Sequence, residues 1–318
     1  MLFKIERVIV GALPTSLVAH HAIGTAGLRV VHPGRRARST FLPALAAAHR
    51  STARRTRPTT HGRPVMSHFP ASVVTTWRKP FLGETIHRDG SVSLVVNPRL
   101  DEDRSVTVLR TAADSHTAIA VLPDVVERLE STGLFRSGPI TEARVREALV
   151  AGGITLHGAD NLYYLPATLR AGVTSERDRE GVRLLSPADT EAFEEFESRA
   201  TEQDLDDAQV GIDDWAAFGA FGPDGRLSSA GSMYPWGEGA VFADIGVLTL
   251  AEARGQGQGR AVVRAMMRHA LSRGLEPQYR CQLDNVASVA LAAASGLALF
   301  GTWEVPTPED DPAEDDRR

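Results

Sequence analysis

Ala240–Leu250 reads AVFADIGVLTL, Ala253–Ala261 follows as ARGQGQGRA, and a helical pattern then runs to about Arg273. The first stretch is apolar and rich in β-branched residues, as a long central strand requires. In the last, Val262, Val263, Met266 and Ala270 make one apolar stripe with arginines elsewhere, and Gly274 ends the helix. Between them lies Arg254-Gly255-Gln256-Gly257-Gln258-Gly259-Arg260. Three alternating glycines cost backbone entropy that a plain turn does not require. They let a backbone approach a ligand, and the helix behind them offers free N–H groups and its positive dipole end. That geometry suits a pyrophosphate, with Arg254 and Arg260 adding charge.

Two other phosphate loops match poorly. A Walker loop ends in Gly-Lys-Ser/Thr, and no such triplet follows here. A dinucleotide fingerprint starting at Gly255 requires Gly or Ala where Arg260 stands. Glu276 lies near where a ribose-binding acid belongs, but only about 60 residues follow the loop, too few for two mononucleotide-binding halves.

Outward from the loop, the pattern stays regular. Gly181–Leu185 reads as a strand. Ser186-Pro187 starts a helix to about Arg199, and a second acidic helix covers 201–209. Trp215–Phe221 and Arg226–Tyr234 form a hairpin across Gly222-Pro223-Asp224-Gly225. Glu276–Leu283 is a strand, Val286–Ser295 a helix closed by Gly296, and Leu299–Val305 the last strand. Further upstream, Ser91–Asn97, Ser105–Arg110 and Ala118–Leu122 read as strands. Asp124–Leu129 and Thr141–Ala151 read as helices, and Asn161–Leu165 as a strand. Arg170–Glu180 is polar and reads as a linker. Tyr163, Tyr164 and His157 read as ordinary half-buried strand residues, with a pocket lining as the alternative.

The glycine loop resembles the R/Q-x-x-G-x-G/A motif of the GCN5-related N-acetyltransferase (GNAT) superfamily, with Arg254, Gly257 and Gly259 in place. The preceding Thr249–Arg254 keeps the spacing of that family's V-x-P-x-x-R, with Thr for Val and Ala251 for Pro. Asn285, Ser288, Leu291, Gly296 and Leu297 match its second motif. The element order from Gly181 to Val305 is also similar. The resemblance implies an α/β (α+β) fold: a mixed central sheet flanked by helices, preceded by a smaller α+β domain that can be read as a degenerate copy. It implies direct transfer of an acetyl group from acetyl-CoA to an amine, with no metal. Val247, Leu248 and Thr249 would pair with the pantetheine arm. Gly255, Gln256, Gly257, Gln258, Gly259 and Arg260 would hold the pyrophosphate, and Asn285 the far pantetheine. The family's usual proton donor, a Tyr after the Leu of the second motif, is Ala292 here. Another tyrosine such as Tyr234, or water, is the replacement expected from this chain, unless it is inactive. Asp244 interrupts an apolar strand and is the first candidate base, since burial raises a carboxyl pKa; a strand-face or capping role is its alternative. Glu238 is second, and Tyr234 and Trp236 either shape the acceptor site or simply pack. A CoA-binding module without catalysis and a dinucleotide-binding enzyme are the competing functions.

Composition bounds the rest. The chain has 318 residues, 42% of them hydrophobic, enough for about two domains with a sizeable core. Residues 1–65 hold eleven basic residues against Glu6; residues 66–318 hold 24 basic and 39 acidic, a net −15. The acidic part argues against nucleic acid and, weakly, for cationic rather than anionic substrates. The single cysteine, Cys281, excludes an internal disulfide and a Cys-based zinc site, and reads as buried packing. No apolar run is long enough for a membrane span. The expected organisation is a disordered basic extension 1–65, an α+β domain 66–171, an acetyltransferase domain 172–306 and an acidic disordered tail 307–318. Residues 1–65 allow upstream translation with a start at Met66, a transit peptide, a signal peptide or a basic arm. A small-molecule or protein amine is the expected acceptor, with no membrane partner, a cytoplasmic location and a homodimer allowed.

Overall fold

The structure is a computed structural model that describes residues 68–307, apart from Ser137 and Glu238. The extension 1–65, the tail from 308 and the candidate Glu238 lie outside the described residues. In chain order the elements are α1 (Ala71–Arg78), β1 (Glu84–Arg88), β2 (Val92–Val96), β3 (Val106–Thr111), β4 (Thr117–Val121), α2 (Pro123–Ser131), α3 (Glu142–Ala151) and β5 (Asp160–Tyr164). Then follow α4 (Arg170–Ser175), β6 (Val182–Leu184), α5 (Thr190–Ser198), α6 (Glu202–Ala208), β7 (Ala216–Phe221), β8 (Leu227–Pro235) and β9 (Phe242–Thr249). The last four are α7 (Gln258–Ser272), β10 (Glu276–Gln282), α8 (Val286–Ala294) and β11 (Ala298–Glu304).

Local chemistry sets most of these boundaries. Pro123 occupies the first turn of α2, where its missing N–H costs nothing. Thr141 and Thr201 accept from the N–H groups of Arg144 and Asp204 and so cap α3 and α6. Ser186 and Asp189 form a capping box ahead of α5. Gly274 (φ +79°) and Gly296 (φ +86°) take the left-handed turns that stop α7 and α8.

All eleven strands join one sheet in the order β1-β2-β4-β3-β11-β5-β10-β9-β8-β7-β6. The pairs β2–β4 and β9–β10 are parallel, and the others are antiparallel. Side chains alternate across the sheet. Along β9, Ala243, Ile245 and Val247 join the cluster under α7, with Met266, Val262 and Tyr279. Phe242 and Leu248 face the other way, toward α1 and α5 respectively. In the first part of the chain, α2 and α3 cover β2–β4 through Val125, Leu129, Val145 and Leu149. Each such fully buried aliphatic side chain contributes about 1.5–3 kcal/mol relative to exposure.

The expected boundary near residue 171 falls inside α4, and the sheet runs across it. β5 lies between β10 and β11, with Leu162 opposite Arg280 on one side and Gly301 on the other. Arg146 of α3 also clasps Glu304 of β11 through two N–H···O contacts of 2.8 and 2.7 Å. Three elements were not legible: α1, β1 and α4. The α1 segment ASVVTTWR buries only Val73 and Trp77, too few for a periodic signal. β1 is an exposed edge strand with no apolar alternation. The polar stretch 170–180 is not a plain linker. It opens with α4, and its acids then bind arginines of α7: Glu176 with Arg264, and Asp178 with Arg268.

Because β5 fills the gap between β10 and β11, residues 172–318 produced alone should not melt cooperatively. In the full chain, Leu162→Ala, at a fully buried position, should cost about 2–5 kcal/mol in urea unfolding.

Candidate active site

Parallel pairing between β9 and β10 ends at Ile245–Tyr279, although both strands continue. Beyond that point β10 remains paired to β5 through Gln282, and β9 to β8 through Thr249. The two strands diverge, and among the described residues no strand lies beside the β9 edge at Gly246, Val247, Leu248 and Thr249 on the β10 side. This open edge runs directly into the glycine loop. Gly255 and Gly257 take φ of +75° and +78°, where an L side chain is strained, and Gly257 is the N-cap of α7. The first N–H groups of α7 therefore point out of the helix with no carbonyl in the preceding turn.

The loop residues divide by role. Gly259 is buried, and a Cβ there would meet Thr249 Oγ1 at 2.7 Å, so this glycine serves close packing of α7 on β9. Arg254 turns back: its Nε donates to the Thr249 carbonyl at 3.1 Å and its Nη2 meets Asp204 at 2.8 Å. It braces the loop. Gln256 donates to the Glu252 carbonyl, while Gln258 and Arg260 begin the helix, Arg260 exposed. Arg179, which sequence reasoning did not single out, donates to the Gln256 carbonyl at 3.1 Å and stands beside Gly257. It sits in what read as a linker, and no local pattern marks it.

On the sheet face opposite α7, Asp244 is 5% exposed and fully engaged. Oδ1 accepts from Gln278 Nε2 at 2.9 Å, and Oδ2 accepts from Arg280 Nη2 at 2.6 Å, with Arg280 Nε at 3.0 Å. The Tyr234 hydroxyl lies 3.3 Å from Oδ2. The chain of contacts extends inward: Trp77 Nε1 donates to the Tyr164 hydroxyl at 2.6 Å, and that hydroxyl donates to Gln278 Oε1. Arg280 also faces Asp160 at 3.5 Å. Burial opposes the Arg280 charge, but Asp244 and Asp160 outweigh it and hold the guanidinium charged. Burial raises the Asp160 carboxyl above its ordinary range, although Arg280 and His157 work against the shift. Arg280 had a legible signal, a lone cation in the strand EPQYRCQL; Asp160 had none, because its partners come from distant strands.

The second motif serves α8. Asn285 is its N-cap, with Oδ1 accepting from Ser288 N–H at 3.0 Å. Ala292 is fully buried in the cluster under α7. Tyr279, close by, is pushed up to about 12 by burial. Cys281 is half-buried, and burial pushes its thiol up to about 11. Trp236 stacks on Phe242 at 6.0 Å and meets Trp303 edge-on at 5.8 Å. Tyr163 and Tyr164 are more deeply buried than a half-buried strand position. Among the described residues no group of three or more His, Cys, Asp or Glu could hold a metal ion, and no helix is long and apolar enough to cross a membrane.

Asp244→Asn removes the carboxylate that balances a buried guanidinium, and should cost about 3–5 kcal/mol in denaturant unfolding. Cys281 should react slowly with iodoacetamide at pH 7.5 in the folded protein, its rate still rising toward pH 11. In denaturant the same thiol should titrate near an ordinary value of about 8.5.

The model of the Acetyltransferase (GNAT) family matches residues 183–297. No curated protein matches the chain. Solved structures similar to it include a GNAT-family acetyltransferase from Colwellia psychrerythraea, at 18% identity and a TM-score of 0.40, covering 60% of this chain and 76% of that one. Another is a functionally unknown conserved protein from Staphylococcus epidermidis, at 14% identity and 0.40, covering 74% and 97% respectively. A third is a GCN5-related N-acetyltransferase from Sphaerobacter thermophilus, at 13% identity and 0.37, covering 70% and 74%. On the family match, the C-terminal half of the chain carries, over residues 183–297, a GNAT domain, the acetyl-CoA-binding fold on which acyl-CoA-dependent N-acetyltransferases are built.

Proposed function

We propose that this protein transfers an acetyl group from acetyl-CoA directly to an amine. The observation that carries the reading is the divergence of β9 from β10 after Ile245–Tyr279, in line with the glycine loop and the α7 N-terminus. An unpaired strand edge followed by free helix N–H groups fits a ligand that is amide-bearing along its arm and anionic at its end. Val247, Leu248 and Thr249 would pair with the pantetheine, and the N–H groups from Gly255 to Arg260 would hold the pyrophosphate, with Arg260 and Arg179 nearby. Asn285 spends Oδ1 on its cap and would offer Nδ2. Acetyl-CoA, when bound, supplies an activated acyl thioester.

The amine enters as an ammonium and gives up two protons, one before its nitrogen bonds the acyl carbon and one as the C–S bond breaks. Asp160 is better suited than Asp244 to accept the first. Asp244 already accepts from Gln278, Arg280 and Tyr234, whereas the Asp160 carboxyl is raised by burial and faces a single guanidinium. Asp244 then acts by holding Arg280 and Tyr234 in place. The Tyr234 hydroxyl is the donor for the departing sulfur, and the second amine proton replaces the one it gives up. The use of CoA favours the cytoplasm as the compartment. A second reading, a domain that binds CoA without turnover, is favoured by Ala292, which puts a buried methyl group where the family's proton donor stands.

Thermal unfolding of the full chain with acetyl-CoA, and with NAD as control, tests the shared step. At a hundredfold excess over Kd, acetyl-CoA should stabilise the fold by about 2.7 kcal/mol and NAD should not. Release of free thiol on adding amines then supports the acyltransferase; stabilisation without release supports the second reading, and no stabilisation rejects both. In the active protein kcat/KM should rise with pH as Asp160 loses its proton, at a pH above the ordinary carboxylate range. That limb should vanish in Asp160→Asn.

A further inference from the structure

A pocket of about 560 Å³ lies on the same sheet face as Asp244 and Arg280, within the size range of small-molecule sites. Its floor is aromatic. Trp77, Phe242 and Trp303 are each less than 5% exposed, and Trp236 from the β8–β9 connection forms a wall. Its rim is basic: Lys79 follows α1, and Arg99 and Arg104 stand on the β2–β3 connection. Arg104 lies 4.8 Å over the Trp236 ring and 5.8 Å from Trp303. Its carboxylate contact, with the exposed Asp103, is long at 3.8 Å. Lys79 and Arg99 are exposed and have no ion-pair partner among the described residues. Asp101 is the single acid lining the pocket among those residues.

This rim opposes the charge of the molecule around it, since residues 66–318 carry a net −15. Three cations clustered at one cavity mouth on an acidic protein repel one another, and an anion relieves that repulsion. Behind the aromatic residues, outside the pocket's own lining, the character is opposite. Arg280 stands 5.8 Å from both the Trp236 and Trp303 rings and is bonded to Asp244, beside Asp160. Those two carboxylates exceed the one guanidinium by a unit of charge. Phe242 on the floor and Gly246 at the open edge are four residues apart on β9, about 13 Å at strand spacing.

We propose that this pocket is the acceptor site, and that the acceptor is an amine carrying a carboxylate at the far end of an aromatic body. The carboxylate meets Arg99, Arg104 and Lys79, the ring lies on Trp236 and Trp303, and the amine points to Asp160 and the diverging strands. As an acceptor assignment this rests on the acyltransferase reading; as a ligand class it stands on the pocket and the acids behind it. An α-amino acid, with its two charges on one carbon, fits neither end.

The test is a titration of the full chain, read by intrinsic tryptophan fluorescence without CoA, with 4-(2-aminoethyl)benzoate, phenethylamine and L-phenylalanine. The benzoate should bind at least about tenfold more tightly than phenethylamine, since a bond between charged groups supplies that much. L-phenylalanine should bind no more tightly than phenethylamine. Arg99→Gln and Lys79→Gln, both at exposed positions, should each narrow the gap several-fold and leave phenethylamine unchanged. Equal affinities, an unchanged gap in both variants, no fluorescence response to any of the three, or tightest binding of L-phenylalanine overturns the proposal. Acetyl-CoA stabilisation of the same preparation separates the two ideas. Stabilisation without a carboxylate preference removes the ligand class and leaves the acyltransferase; a carboxylate preference without stabilisation does the reverse.

Discussion

The Asp244–Arg280 ion pair is the constraint around which the centre of the sheet is organised. Arg280 lies one residue past the last paired position of β10, and Asp244 one residue before the last paired position of β9. The pair therefore ties the two strands together at the point where they part. A guanidinium placed there without a carboxylate would carry a desolvation cost of several kcal/mol. With one, the divergence has a defined starting point. Gln278 and Tyr164 carry the same network inward to Trp77 of α1, so a helix near the start of the described chain is hydrogen-bonded, in three steps, to the strand that opens the site.

That network also accounts for the place of the first hundred described residues. They are joined to the later strands by β5, by Arg146 on Glu304 and by α1 over Phe242 and Trp303. They supply Trp77 and the basic rim of the pocket, whereas the later residues supply Trp236, Phe242 and Trp303 together with the loop and the open edge.

Two polar clusters carry different kinds of energy. The contacts of Glu176 and Asp178 with Arg264 and Arg268 are partly exposed, and each contributes little beyond fixing the segment before β6 against α7. The buried cluster at Arg280 is costly to break, because its members satisfy one another's charges and hydrogen bonds away from water. Local opening is therefore expected at the rim of the sheet, with the Asp244 region the last to yield.

Much of this was legible in the residues alone. Strand alternation, capping residues and glycine stops placed every strand from Val92 onward and every helix but α1 and α4, because these signals are local: a cap bonds three residues away and a strand face repeats every two. The glycine loop was legible for the same reason, since a left-handed φ is a property of one residue. The sequence also marked Asp244 as a charge within an apolar strand. It did not say that Arg280 and Gln278 would occupy its oxygens, that Asp160 would be the carboxyl raised by burial, or that Gly259 serves packing and Arg254 bracing. Nor did it say that β5 would enter between β10 and β11, or that Lys79, Arg99 and Arg104 would share one cavity mouth with Trp236 and Trp303. Local sequence determined the elements and the phosphate-suited loop. Tertiary structure decided which charges meet, because ion pairs and pockets are made between residues far apart in the chain, and their energy depends on burial that no single segment specifies.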